Sequence, residues 1–146
     1  LSLEPAKATR SRACAVGSEH ALRDPSRALI EAIADDRIEA TTTVEVLQEF
    51  VHVRARRRGR SDAAERGREL LRLLGPLVAP GEPELAVALQ LFARFEGLGM
   101  FDAVLAATAI AAGAEGLVSA DRAFAEVREL TYLDLAGPDV RRLIEG

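Results

Sequence analysis

The chain has 146 residues, of which 49% are hydrophobic and 29% charged, with a net charge of -4. That is enough chain for a single domain with a proper core, and the composition is that of a globular protein rather than a disordered or fibrous one. The negative balance excludes a surface that is basic all round, as in proteins that coat nucleic acid, but leaves room for a local basic patch.

In chain order, Asp24-Pro25 reads as a helix start, with Asp as N-cap and Pro at the first helical position, running to about Asp36. Residues 38–41, Ile-Glu-Ala-Thr, suit a short strand. Thr42 and Glu45 form a capping box for a helix that carries Val44, Val46, Leu47, Phe50, Val51 and Val53 toward Arg58. Gly59 ends it, and Ser61-Asp62 opens a further helix through Leu74. Gly75-Pro76 breaks that helix, and Leu77-Val78-Ala79 is a second candidate strand. Residues 84–95 are amphipathic, with apolar side chains at 85, 88, 89, 92 and 95. Phe101 to Ala112 reads as a buried helix ended by Gly113. Leu117-Val118 is a buried strand, residues 121–127 a short helix, residues 130–133 a last strand and residues 139–144 a terminal helix. Short apolar strands alternating with helices predict an α/β fold with a mainly parallel central sheet flanked by helices. No linker or repeat divides it, so residues 1–146 form one domain, with residues 1–14 the divergent part. In such folds ligands gather beyond the carboxyl ends of the strands.

Two aspartates stand out there. Asp102 opens an almost uncharged segment, and Asp121 follows the apolar run Gly116-Leu117-Val118-Ser119. An ionised carboxylate beside a core needs a partner. Helix capping is one answer, and a shared cation is the other. On the helix of residues 41–59, Glu45 is explained by its capping box, whereas Glu49 falls at the border of the apolar arc, from which it can reach a cleft. Three carboxylates with no thiolate or histidine cluster suit a hard cation, Mg²⁺ or Mn²⁺. Such an ion can hold a phosphate oxygen and acidify a bound water, which is the chemistry of phosphodiester cleavage.

Cys14 stands alone, so neither an internal disulfide nor a thiolate metal site is available, and a cytoplasmic setting is expected. His20 and His52 are too few and too far apart for zinc. Residues 1–17 lack the apolar core of a secretory signal. The best candidate membrane span, residues 101–118, is interrupted by Asp102, Glu115 and two glycines, so no membrane association is expected.

The stretches TTTVEVLQEFVHVRARR, FDAVLAATAIAAGAEGLVSADRAF and AVGSEHALRDPSRALIEAI together resemble the PIN-domain ribonucleases, in particular the VapC-type toxins of toxin–antitoxin modules. The resemblance implies a parallel sheet between helices, clustered acids that bind Mg²⁺ or Mn²⁺, hydrolysis of RNA, a homodimer and silencing by a cognate antitoxin. By position it makes Glu49, Asp102 and Asp121 the catalytic and metal-holding acids, with Ser119 a small hydroxyl residue beside them. It also makes Arg54 and Arg57, in the run from Arg54 to Arg60, candidate contacts to RNA phosphate; the alternative is a solvated helix end that suits the macrodipole. Phe92, Phe95, Leu98, Met100 and Phe101 read as core, with a docking surface as the alternative.

The family's first strand ends in an aspartate, and this chain departs from that pattern: residues 1–16 contain no Asp, and Glu4 falls several residues too early. The stretch also has no apolar run of useful length, so a strand there is not expected. Either the protein is a degenerate relative that binds antitoxin or RNA without cleaving, or the start of the gene has an altered reading frame, which translation of the upstream DNA in all three frames would reveal. A phosphoacceptor domain, the remaining α/β possibility, needs an early strand-end Asp and a late Lys, and neither is present.

Overall fold

The computed structural model of the chain describes residues 12–14 and 23–146. The expectations for residues 1–11, for Glu4 and for residues 15–22, His20 among them, lie outside the described residues. Four parallel strands, β1 (Arg12–Cys14), β2 (Glu39–Ala40), β3 (Gly116–Ser119) and β4 (Tyr132–Asp134), form one sheet in the order β2-β1-β3-β4. Among the described residues six α-helices accompany them: α1 (Arg23–Ala34), α2 (Val44–Arg58), α3 (Arg60–Leu74), α4 (Glu82–Arg94), α5 (Met100–Ala111) and α6 (Pro138–Glu145).

The presence of β1 corrects one expectation. Arg-Ala-Cys has no apolar run, yet it occupies the centre of the sheet, with Ala13 opposite Ala40 on one side and Gly116 on the other. A ladder is made by backbone N–H and C=O groups, which hydrophobic patterning does not register. The second candidate strand, residues 77–79, reduces to a single parallel bridge between Thr43 and Val78. Helix α1 begins at Arg23, so Asp24 sits within its first turn rather than capping it.

β3 shows how the layers are built. All four of its residues are buried, and alternation sends Leu117 and Val118 to opposite faces. Leu117 joins a core formed with Ala103, Ala106 and Ala107 of α5, Ala88 and Leu91 of α4, and Phe124. Val118 joins a second core with Leu29 and Ile33 of α1, Leu74 of α3 and Val140 of α6. Each side chain of this size contributes roughly 1.5–3 kcal/mol when fully buried. The small residues of α5 let that helix lie close to the sheet, and Gly113, at φ +63°, turns the chain from α5 toward β3 without the penalty a Cβ would bring.

Candidate functional site

The topology decides which residues can meet. Helix α5 runs into β3 through a tight turn, so the start of α5 lies at the carboxyl end of β3. β2 likewise delivers α2 from its own carboxyl end through Thr41 to Thr43. The first turns of α2 and α5 and the segment after β3 therefore share one edge of the sheet, where parallel α/β folds place their sites.

Asp102 stands in the first turn of α5. The N-cap is Gly99, with no side-chain capping bond, so the capping explanation does not hold for Asp102. Its carboxylate is half-buried and accepts no hydrogen bond among the described residues. Burial pushes the pKa above the ordinary aspartate value, and the nearby negative charge of Asp121 pushes it further the same way.

Asp121 is a cap. One of its oxygens accepts the Ala123 N–H at 2.9 Å at the start of a 3-10 helix, Arg122–Glu126. Its own N–H donates to the Ser119 hydroxyl at 3.1 Å. The Ser119 carbonyl in turn accepts the Tyr132 hydroxyl at 3.1 Å. Ser119 is 7% exposed, so its side chain fixes the turn that presents Asp121.

Glu49 is exposed on α2 and lines a groove of about 880 Å³ between α2, α3 and Phe101. The structure brings Asp102 and Asp121 together without drawing Glu49 into the pair: among the described residues, no three His, Cys, Asp or Glu side chains form a group able to hold a metal ion. The expected three-acid set thus becomes an electrostatically coupled pair with a third acid along the neighbouring groove. Two carboxylates remain a fitting donor set for Mg²⁺, which keeps several waters and takes its other ligands from a bound phosphate. The raised pKa of Asp102 agrees, because a cation would relieve both of its causes.

The sequence reading missed Glu45. Thr43, not Thr42, is the N-cap of α2, its hydroxyl accepting the Val46 N–H at 3.3 Å, so Glu45 is at the second helical position and takes no part in a capping box. One Glu45 carboxylate oxygen is buried without a hydrogen-bond partner among the described residues. Shifting the cap by one residue would have revealed this acid. Gln48, His52, Arg60 and Ser61 also line the groove, and only helical phasing of α2 against α3 could have assembled them.

Of the candidate phosphate contacts, Arg54 is committed elsewhere. It holds both Asp62 oxygens, at 2.6 and 3.1 Å, and keeps the Asp62 pKa below the usual carboxylate value. Arg57 is exposed in the last turn of α2, beside Arg56 and Arg58. No helix among the described residues is long and apolar enough to cross a membrane.

Comparison with known proteins agrees with this arrangement. The family model of the PIN domain matches residues 13–130. The chain is 54% identical over 126 residues to Ribonuclease VapC7 of Mycobacterium tuberculosis (strain ATCC 25618 / H37Rv), covering 84% of this chain and 87% of that protein. A parallel sheet with two coupled aspartates at its carboxyl edge, a family match across most of the chain and a relative of this identity lead to one conclusion: the chain belongs to the PIN-domain family, as a VapC-type member.

Proposed function

We propose that the protein is a metal-dependent endoribonuclease, the toxin of a toxin–antitoxin pair, acting in the cytoplasm. The observation that carries this reading is Asp102: half-buried, outside any cap, with no hydrogen bond among the described residues and beside the charge of Asp121. A carboxylate held this way is poorly served by the protein alone and well served by a cation. The similarity to a protein named as a ribonuclease supports the reaction type.

Asp102 and Asp121 would hold Mg²⁺ or Mn²⁺, which when bound neutralises phosphate charge and lowers the pKa of a water. The residues of the chain do the rest. Ser119 and the 3-10 turn fix the direction of Asp121, while the N-terminus of α5 fixes Asp102 at a set distance from the sheet. Glu49 adds negative charge along the adjoining groove, favouring cation entry from that side. A second reading, a binder of RNA or antitoxin that does not cleave, is favoured by the absence of any acid in β1.

The test is cleavage of a structured RNA by the purified protein with Mn²⁺. Cleavage should stop with EDTA, and Asp102→Asn should lower it by at least about 100-fold, since loss of even an outer-shell group costs about 10–100-fold. An inert wild-type protein that still binds RNA or a co-expressed antitoxin would establish the second reading instead.

A further inference from the structure

Phe101 is placed at odds with its chemistry. It is 49% exposed and has no part in either core cluster, although its neighbours Met100 and Ala103 do. It immediately precedes Asp102, so on the first turn of α5 ring and carboxylate occupy adjacent sectors about 100° apart. The ring forms one wall of the groove whose other walls include Gln48, Glu49 and His52 of α2 and Arg60 and Ser61 of α3. The groove thus runs from the ring of Phe101, the residue before Asp102, to the Arg60 guanidinium. Arg56, Arg57 and Arg58 are exposed on the same α2–α3 corner.

An aromatic face and a guanidinium along one groove suit single-stranded nucleic acid, whose bases stack and whose phosphates meet Arg or Lys. The acidic wall is compatible with that path. Glu45 and Glu49 disfavour a phosphate alongside them but tolerate a neutral base, whose amino groups can donate to a carboxylate. A protein segment fits less well, because Glu45, Gln48, Glu49, His52, Arg60 and Ser61 interrupt the apolar lining of the groove, and the exposed aliphatic surface lies instead on α4, at Leu85 and Leu89.

We propose that this groove carries a single-stranded stretch of RNA, with Phe101 stacking a nucleobase next to the phosphate presented to Asp102 and Asp121, and Arg60 gripping a backbone phosphate farther along. The proposal rests on the ribonuclease reading and adds the path of the substrate to it.

Fluorescence anisotropy with labelled A12 and U12 oligoribonucleotides in EDTA, where no metal-dependent cleavage occurs, tests the channel separately from the reaction. The wild-type protein should bind A12 more tightly than U12, because purines stack more strongly. Phe101→Ala should weaken A12 binding by about 5- to 100-fold and remove the A12 preference, whereas Phe101→Tyr should stay within about twofold. Arg60→Ala should reduce the salt dependence of binding by about 0.7 in log–log slope, as for one phosphate contact on a single strand; Phe101→Ala should leave that slope unchanged. Equal A12 affinity for the wild type and Phe101→Ala, or an Ala variant that instead loses only its co-expressed antitoxin, would overturn the proposal. If the wild type cleaves RNA with Mn²⁺ while Phe101→Ala binds unaltered, the channel fails and the nuclease stands. If the wild type binds A12 as described but never cleaves, the nuclease fails and the channel stands.

Discussion

A raised carboxylate pKa is a statement about stability as well as chemistry. Asp102 binds its proton more tightly in the folded protein than in the unfolded chain, because burial and Asp121 both disfavour its charge. The folded state then holds more protons between the two pKa values, and stability falls as pH rises through that window. At neutral pH without divalent ions the ionised Asp102 is a burden on the fold. Asp102→Asn is therefore expected to melt at a higher temperature than the wild type at pH 7 in EDTA. The gap should close as the pH falls below 3.8, the ordinary aspartate value. Added Mn²⁺ should raise the melting temperature of the wild type, by about 2.7 kcal/mol of stability at a hundredfold excess over Kd, and leave the Asn variant nearly unmoved. A variant less stable than the wild type across the whole pH range would show that the carboxylate does structural work.

At the scale of elements, the groove depends on how closely α2 and α3 approach. Gly67 is buried on α3, and a Cβ there would come within 2.7 Å of a Val51 methyl on α2. Gly67→Ala would ordinarily favour a helix by about 0.5–1 kcal/mol. Here it must push Val51 or the whole helix aside, and overpacking of this kind costs about 1–3 kcal/mol. We expect Gly67→Ala to lower stability by about 1–2 kcal/mol in urea unfolding and to weaken RNA binding through a distorted groove. Gly67→Ala combined with Val51→Ala should recover part of the RNA binding, a coupling that a double-mutant cycle measures. Additive losses would show that the two helices do not meet there.

For the molecule as a whole, α4 presents an apolar surface to solvent. Leu85, Leu89 and Phe92 recur at helical spacing and are all exposed, while Ala88 and Leu91 face the core. The sequence predicted the amphipathic helix but read Phe92 as core; the structure leaves it exposed with Leu85 and Leu89, because a small face of Ala88 and Leu91 is enough to seat α4 against α5. A half-exposed apolar stripe of this kind suits a docking surface, and the homodimer that the family resemblance implies would cover it. Leu89→Glu is expected to shift sedimentation from dimer toward monomer at micromolar concentration without loss of helix content. A wild type that sediments as a monomer would remove the inference.

What the sequence determined by itself was the layered α/β fold and the acids most exposed to suspicion, because hydrophobic period, caps and glycines are local signals. Leu117 and Val118 announce a strand buried on both faces, and the run from Met100 to Ala111 a helix buried along most of its length. The tertiary structure alone decided the rest. It put the unpatterned β1 at the sheet centre, since backbone pairing needs no apolar side chain. It gave Arg54 to Asp62, left an oxygen of Glu45 without a partner among the described residues, and set Phe101 beside the groove rather than in the core. Each of those outcomes turns on the approach of segments far apart in the chain, and distance across a fold is not written in the spacing of residues along it.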